Sequence, residues 1–362
     1  MKTLTVTFHH TTNYGAILQT YALQQKIMSM GHENVILETK TIKKKNKRSF
    51  SKTLFFILIN LIRKKQLARL KESFSNFHKN RLLLTKPYED MDELRSDDVI
   101  KEYDCLITGS DQVWNLKTSP KFIDSRLLLF GNEDAKRFSY AASLEECDYT
   151  LEQKELINNA LKSFQGISVR EESAKRYLES FTKYKYYRVL DPVFLLSMED
   201  WNKILIEPRL KGPYILCYQV QRNHRLEEVA KKLKNKYNYP IVSICNEGIR
   251  WINSDYTFYD VSPEEFLGFY SEAAFVVSAS FHGVALGLVF NKPVYALVKN
   301  TRANRIKDLM TVFGLSDFVI EQDSKLNIPF YTPPILDNVR QIKEKEISQS
   351  NSFINEMLNY VK

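Results

Sequence analysis

Two side chains in the sequence have the chemistry for proton transfer and for anion binding, and each follows an apolar, strand-like run. His282 comes after Phe275–Ser278 in the stretch SASFHGVALGLVF, where an imidazole can transfer protons near neutral pH. Arg170 comes after Gly166–Val169 in GISVREESAKRYL, and its planar guanidinium suits a carboxylate or a phosphate group. The alternatives are a structural histidine and a salt bridge from Arg170 to the adjacent glutamates, a pairing that helix spacing makes less natural.

Polar loops after other strand-like runs supply candidate binding residues. In TFHHTTNYGAILQTYALQ the loop precedes an apolar helix, whose free N–H groups and dipole favour an anion. In CLITGSDQVWN the polar side chains could hold sugar hydroxyls and Trp114 could stack on a sugar, with helix capping as the alternative. Together with the small residues beside His282, these loops give the substrate-binding candidates Asn13, Gly15, Ser110, Asp111, Gln112, Ser278 and Ser280.

Two arginines late in the chain, Arg302 and Arg305 in KNTRANRIKDLMTVFGL, are further candidates for anion binding, with a solvated surface as the alternative. The loops contain no G-x-G-x-x-G, Walker or G-x-S-x-G motif, which argues against dinucleotide sites, NTP sites and Ser-His hydrolases. No second histidine or cysteine lies near His282 in the sequence, and His9 and His10 are interpreted as turn residues. We therefore predict neither a metal nor a cofactor.

The candidates follow strands in a chain that alternates strand-like and helical patterns, which predicts parallel sheets with right-handed crossovers. The pattern restarts after YYRVLDPVFLL, and we place a hinge in Asp191–Pro208. We predict an α/β fold with two Rossmann-like domains facing a cleft, residues 1–190 and 191–335, and a helix over 336–362 that returns to the first domain. The strand ends of both domains would then meet at the cleft, where doubly wound sheets bind ligands.

The composition of the 362-residue chain is that of a globular protein, with 44% hydrophobic and 26% charged residues. Its net charge of +9 comes from one segment, residues 40–71, which is rich in lysine and arginine and has no acidic residue. The rest of the chain is slightly acidic, and the lysines lack the aromatic and arginine patterns of nucleic-acid-binding modules. We therefore expect no nucleic-acid partner.

The basic segment contains the apolar run Leu54–Ile62 in TLFFILINLIRKK, which is too short to span a bilayer. With its flanking lysines it predicts a basic amphipathic helix, about residues 43–80, inserted in the first domain and bound to an anionic membrane through Lys43–Lys65. The alternative is a helix packed on the first domain with a solvated basic face. The cysteines are scattered and a strand starts by residue 4, so we expect a cytoplasmic protein, peripheral on the inner face of the cell membrane.

Five stretches, in this order and spacing, resemble the polysaccharide pyruvyl transferase family: NYGAILQTYALQ, TGSDQVWN, SVREESAKRYL, DPVFLL and SFHGVALGLVFNKPVYAL. The resemblance covers roughly Thr5–Leu315 and implies a fold similar to that of the GT-B glycosyltransferases. It implies transfer of pyruvate from phosphoenolpyruvate, which is a donor substrate rather than a cofactor. The acceptor would be a lipid-linked or polymeric sugar of a surface polysaccharide, such as a capsule or exopolysaccharide, and the product a pyruvate ketal.

The resemblance also implies roles for single residues. His282 matches the motif histidine and would be the general acid and base, and Arg170 matches the arginine that would clamp the donor. Many family members carry an arginine where this chain has Ser280, so Arg302 or Arg305 would have to replace that clamp. Two alternatives stay open. One is a GT-B nucleotide-sugar glycosyltransferase, although the second domain lacks the acidic residue that commonly holds a ribose. The other is a non-catalytic, membrane-associated glycan-binding protein.

Overall fold

A computed structural model of the chain describes residues 1–10, 12–40, 59, 61–117, 120–144, 148–245, 248–299 and 304–360. These residues form two six-stranded β-sheets, each with helices packed against it. Every strand pairing within the two sheets is parallel, as the alternation of strands and helices predicts. The carboxyl ends of neighbouring strands therefore lie at one edge of each sheet.

The first sheet takes its strands from the amino-terminal half of the chain: β1 (Lys2–Val6), β2 (Glu33–Ile36), β3 (Cys105–Asp111), β4 (Lys136–Ala142), β5 (Phe164–Val169) and β6 (Tyr186–Arg188). Their spatial order is β2-β1-β3-β4-β5-β6. Strands β3 and β4 are buried over nearly their whole length, since helices cover a parallel sheet on both faces. The sequence predicts all of these strands except β6, an edge strand of 3 residues.

The helices of this half are α1 (Tyr14–Ser29), α2 (Lys64–Arg81), α3 (Met91–Ser96), α4 (Asp98–Lys101), α5 (Ile123–Arg126), α6 (Leu151–Leu161) and α7 (Glu172–Glu179), with a 3-10 turn at Pro120–Phe122. Helix α1 begins where the Asn13 side chain accepts hydrogen bonds from the first free N–H groups. Helix α6 begins with a capping box between Thr150 and Gln153. The polar residues at these strand–helix junctions thus fix where the helices start.

The second sheet consists of β7 (Tyr214–Tyr218), β8 (Ile241–Ile244), β9 (Tyr256–Phe258), β10 (Ala273–Ser278), β11 (Val294–Val298) and β12 (Val319–Glu321). Their order is β12-β11-β10-β7-β8-β9. The sequence predicts the four inner strands, but not β9 and β12, which have 3 residues each and lie at the two edges. The helices are α8 (Met198–Asn202), α9 (Arg225–Tyr237), α10 (Pro263–Glu272), α11 (Phe281–Val289), α12 (Asn304–Val312) and α13 (Pro333–Asn359), with 3-10 turns at Pro192–Phe194 and Ser316–Phe318.

The connection between the two halves, residues 191–208, is attached to the interior by its buried residues, although other parts of it are exposed. Val193 and Trp201 are fully buried in an apolar core that also contains Tyr14 of α1 and Tyr218 of β7. The Tyr14 ring stacks on Phe266 at a centroid distance of 4.0 Å, so α1 is attached to the second half. Residues from both halves thus share one core. The predicted domain limits and the predicted hinge stay predictions.

Helix α2 is the described part of the predicted basic helix, and its apolar side is buried. Leu70, Phe74 and Phe77 lie in the shared core. Arg69 Nε donates to Asp260 Oδ2 of the second half at 2.7 Å. Helix α2 is therefore a packed helix, which is the alternative that the sequence analysis gives to a membrane-bound one. Residues 41–58 and 60, most of the predicted membrane-facing segment, lie outside the described residues.

The last helix, α13, contacts both halves along its 27 residues. Near its start, Val339 lies in the shared core, and near its end Phe353 and Met357 pack in the core of the first sheet. Between them, Ser350 Oγ accepts a hydrogen bond from the Leu190 N–H at 2.9 Å. No helix in the described part of the chain is both long enough and apolar enough to span a membrane.

The position of Phe77 predicts a large loss of stability on truncation. Phe77 is 1% exposed in the shared core, so Phe77→Ala should lower the free energy of unfolding by about 3–5 kcal/mol. Urea denaturation measures the change. Leu83→Ala is the control, because Leu83 is 52% exposed and its truncation should change stability by less than about 0.5 kcal/mol. Equal effects of the two variants would contradict the burial of α2.

Candidate active site

One carboxylate, that of Asp191, brings together side chains from three parts of the chain. Its Oδ2 atom lies 2.9 Å from Arg170 Nη1 and 2.8 Å from Ser110 Oγ, which donates a hydrogen bond to it. The same oxygen lies 3.3 Å from His282 Nε2. Arg170 directly follows β5, Ser110 is on β3, and His282 is in the first turn of α11. The structure thus brings the predicted arginine and histidine to the same carboxylate oxygen.

Arg170 is enclosed, and its charge is compensated. Its Nε donates to Glu171 Oε1 at 2.8 Å, and its guanidinium carbon lies 3.9 Å from the centre of the Phe281 ring. The salt bridge to an adjacent glutamate, which the sequence analysis gives as the alternative, is therefore present at Glu171. Glu171 caps α7 with an extended backbone instead of lying in the first helical turn, so its side chain reaches Arg170. Among the described residues, Arg170 Nη2 is buried without a hydrogen-bond partner.

The charges in this network support one another. Burial by itself would raise the pKa of Asp191, but His282 and Arg170 beside it hold that pKa well below its usual range. Burial acts to lower the pKa of Arg170, while the carboxylates of Glu171 and Asp191 raise it above the usual value. Both Asp191 and Arg170 are therefore ionised at neutral pH.

The imidazole of His282 is held between Asp191 and the start of α1. A Cβ atom added at Gly15 would lie 2.2 Å from both Cγ and Nδ1 of His282, so any side chain there would displace the ring. Although His282 Nε2 is within ion-pair distance of Asp191, it makes no aligned hydrogen bond to a described residue. Gly15 is thus the residue that lets the two halves approach at the histidine.

The serines before His282 have different environments. Ser278 is fully buried, and its Oγ donates to the Tyr218 carbonyl at 2.8 Å and accepts from the Ser280 N–H at 3.2 Å. A Cβ added at Gly283 would lie 2.1 Å from that hydroxyl. Ser278 therefore shapes the turn into α11. Ser280 is the N-cap residue of α11, and its side chain forms no capping hydrogen bond.

The candidate binding residues of the two early loops also differ in their contacts. Asn13 Oδ1 accepts from the Gly15 N–H at 3.0 Å and so caps α1, and Gln112 Oε1 accepts from Asn115 Nδ2 at 3.1 Å. Asp111 ends β3 with φ of 68°, a left-handed conformation found mostly at turns and functional sites. The suggestion that Trp114 stacks on a sugar is wrong, because its side chain is fully buried in an apolar cluster.

A small pocket beside Asp191 is rich in arginine. Its lining includes Arg170, Arg188 and Arg305 together with Asp191 and Phe281. Arg305 was predicted from the sequence as an anion-binding residue, whereas Arg302 lies outside the described residues. Asp191 and Asp308 also line the pocket, and Arg188 pairs with Glu346, so the arginine charges are partly compensated.

Sequence analysis missed three residues of this site: Asp191, Glu171 and Arg188. Asp191 was assigned to a hinge, although an acidic residue shortly after a strand and before a proline is a possible site signal. Its Oδ1 also accepts from the Val193 N–H at 3.1 Å, which caps the 3-10 turn that follows. Arg188 lies on the edge strand β6. Because the sequence pattern does not predict this strand, it did not identify Arg188 as a residue at a strand end.

Comparison with known proteins identifies the family and the fold. The model of the family described as polysaccharide pyruvyl transferase matches residues 13–299, most of the chain. No curated protein matches the chain in sequence. Among solved structures, the UDP-GlcNAc 2-epimerase from Methanocaldococcus jannaschii is 13% identical with a TM-score of 0.53, and the match covers 99% of this chain and 100% of that one.

Two further solved structures give the same result. The UDP-GlcNAc 2-epimerase from Neisseria meningitidis bound to UDP-GlcNAc is 13% identical with a TM-score of 0.52, covering 99% of this chain and 100% of that one. MnaA from S. aureus in complex with UDP is 12% identical with a TM-score of 0.52, covering 99% and 96%. At such low identity the similarity concerns the fold alone. It confirms the predicted GT-B-like arrangement of two Rossmann-like units.

We expect removal of the Asp191 charge to cause a measurable loss of stability. Asp191→Asn leaves Arg170 with one carboxylate partner, and the loss of a buried ion-pair partner typically costs about 3–5 kcal/mol of the free energy of unfolding. Urea denaturation at neutral pH measures it. Asp337→Asn is the control, because its pair with Arg340 is exposed and should contribute less than about 1 kcal/mol.

The pH dependence of the same variant has a defined sign. Since folding lowers the pKa of Asp191, its ionisation stabilises the protein above its unfolded pKa of about 3.9. This stabilisation is lost as the pH falls through the lower pKa of the folded state. The stability difference between wild type and Asp191→Asn should therefore shrink on acidification below about pH 4. A constant difference across that range would contradict the assigned charge.

Proposed function

The chain belongs to the polysaccharide pyruvyl transferase family, and on that premise we propose that it transfers pyruvate from phosphoenolpyruvate to a sugar of a surface-polysaccharide precursor. The product is a ketal in which the pyruvate carbon bridges two sugar hydroxyls. The observation that carries the proposal is the contact of Arg170 and His282 with a single carboxylate oxygen of Asp191. A proton-transfer group and a cation are thereby fixed next to each other.

The reaction has a balanced course. Protonation of the methylene carbon of phosphoenolpyruvate forms a methyl group and leaves an oxocarbenium-like carbon. A sugar hydroxyl attacks that carbon and gives up its proton, which replaces the one consumed. The bond from carbon to the phosphate oxygen then breaks, the second hydroxyl attacks, and its proton leaves with phosphate.

In this scheme His282 is the general acid and base. Its imidazole is the group we assign to proton transfer, and its Nε2 lies against the Asp191 carboxylate. The Asp191 carboxylate 3.3 Å away stabilises the ring when it carries the extra proton, and Gly15 fixes the orientation of the ring. Asp191 is thus a positioning residue for His282.

The donor needs cationic partners for its phosphate and carboxylate groups. Arg170 alone cannot supply the charge, since Glu171 and Asp191 carry two negative charges against its one. We assign to the donor the Nη2 atom of Arg170, which makes no hydrogen bond to a described residue, and the backbone N–H groups at the start of α11. We assign to it also the guanidinium of Arg305, which lines the adjoining pocket. These groups take the place of the family arginine that Ser280 replaces.

We also propose that the acceptor is lipid-linked and that the protein binds the inner face of the cell membrane from the cytoplasm. Most of the segment Lys43–Lys65 lies outside the described residues, so its described end is the support. Leu61 and Ile62 are 70% and 66% exposed, and they are followed by Lys64 and Lys65. Exposed aliphatic residues beside lysines are typical of an interfacial anchor.

A histidine variant tests the chemistry. With phosphoenolpyruvate and galactose- or mannose-type acceptors, wild-type protein should release phosphate and yield a product heavier by pyruvate minus water. His282→Gln should reduce kcat by about 10²–10⁴-fold, because the proton-transfer group is lost. His224→Gln is the control, since His224 is exposed at the start of α9 and should leave the rate unchanged.

Two outcomes would contradict the proposal. Full activity of His282→Gln would show that the imidazole does not transfer the proton. A rise in melting temperature with UDP or GDP but not with phosphoenolpyruvate would favour the nucleotide-sugar glycosyltransferase, because a ligand stabilises the protein that binds it. Binding of glycan without turnover of any donor would favour the non-catalytic alternative.

The membrane proposal has its own test. The double variant Leu61→Ser/Ile62→Ser should weaken binding to vesicles with anionic lipid at least about 10-fold, because two aliphatic side chains no longer enter the interface. Vesicle cosedimentation measures the binding. Leu151→Ser is the matched control, since Leu151 is 84% exposed elsewhere on the first half. Unchanged binding of the double variant would refute the anchor.

A further inference from the structure

Three histidines and one glutamate meet outside the Asp191 network. His9 and His10 follow β1, Glu38 follows β2, and His78 lies in the last turn of α2. Each offers one ligand atom, and these atoms all lie within 4.8 Å of one another. Segments far apart in sequence thus place three imidazoles and a carboxylate around one point.

The separations of the ligand atoms match those around a small ion. His9 Nδ1 lies 2.9 Å from His78 Nε2, and His10 Nδ1 lies 3.1 Å from Glu38 Oε1. His9 Nδ1 and Glu38 Oε2 are 3.7 Å apart. A tetrahedral zinc ion with bonds of about 2.0–2.1 Å keeps its ligand atoms roughly 3.3–3.4 Å apart. The observed values lie on both sides of that figure, so small side-chain movements would satisfy it.

The outward nitrogen atoms of His9 and His10 have polar partners, whereas His78 Nε2 itself also lies 3.2 Å from the His9 carbonyl. His9 Nε2 lies 3.1 Å from the Leu37 carbonyl, and a proton on Nε2 would leave the lone pair of Nδ1 directed inward. His10 Nε2 accepts a hydrogen bond from the Thr39 N–H at 3.5 Å and lies 3.4 Å from Thr39 Oγ1. Such outward hydrogen bonds typically orient histidines that bind metals.

The cluster also contains a carboxylate oxygen that lacks a partner. Glu38 Oε2 is buried and makes no hydrogen bond to a described residue. Unpartnered buried oxygens are costly, and a bound ion is one of the ways in which proteins satisfy them.

We propose that His9, His10, His78 and Glu38 bind one divalent transition-metal ion of the zinc type in a closed, four-coordinate structural site. Imidazole nitrogens with one carboxylate are ligands that zinc accepts, and four protein ligands leave no position open for a substrate. The proposal departs from the sequence analysis, which predicted no metal and treated His9 and His10 as turn residues. It is independent of the proposed function.

The site would connect three elements of the first half. The loop after β1 leads into Asn13 and Gly15, and Gly15 contacts His282. Helix α2 carries His78 four residues after Phe74, a residue of the shared core. An ion held by both would fix the carboxyl end of α2 against the loop that starts α1. We therefore expect the metal to stabilise the fold.

The test uses the full-length chain without a histidine tag, treated with EDTA and dialysed. Titration with Co²⁺ should give the intense visible absorption of a tetrahedral site, saturate at one ion per chain, and be reversed by Zn²⁺. Zn²⁺ should also raise the melting temperature. His78→Gln should weaken Co²⁺ binding at least about 100-fold, because the loss of a residue that only hydrogen-bonds to a metal ligand already costs about 10–100-fold.

Matched variants make the result specific. His224→Gln, which changes an exposed histidine of the second half, should bind Co²⁺ as wild type does. Circular dichroism checks that His78→Gln is folded, and if it is not, His10→Gln decides by the same criterion. The proposal is overturned if wild type binds no stoichiometric ion, if Co²⁺ shows only weak octahedral bands, or if a folded ligand variant binds as tightly as wild type.

Discussion

The arrangement at the centre of this protein depends on one buried negative charge. Asp191 has no solvent-exposed side-chain surface, yet it stays ionised because Arg170, Ser110 and His282 surround its Oδ2 atom. A buried carboxylate without these partners would take up a proton. The carboxylate therefore holds strand ends of the first sheet and the first turn of α11 in fixed relation. The site and the contact between the halves have the same origin.

The sequence was sufficient for the inner part of the fold. Long apolar runs separated by amphipathic helices predicted the parallel sheets, and the alternation of the two patterns indicated two Rossmann-like units. The strands that the sequence did not predict, β6, β9 and β12, have 3 residues each and lie at sheet edges. Three residues are fewer than two full periods of the two-residue alternation, so the local pattern cannot identify such a strand. Their pairing is decided by the neighbouring strand.

For the site, residue type and strand position located His282, Arg170 and Gly15, but not their contacts. Arg170 pairs with the glutamate next to it because Glu171 has an extended backbone, a detail that helix periodicity does not predict. Trp114 faces the interior, and the side of a strand end that faces a ligand depends on the packing of the whole sheet. The cluster around His9 joins residues up to 69 positions apart, so no local spacing in the sequence predicts a metal site there.

The way in which α13 closes the first sheet has a consequence for biosynthesis. Phe353, Ile354 and Met357 fill a core whose other members include Phe138 and Tyr140 of β4. During translation that apolar surface has emerged from the ribosome long before its cover exists. The half that is made first can thus be completed only after the second, and meanwhile it exposes an aggregation-prone face. Nascent chains of this topology have a particular need for chaperones.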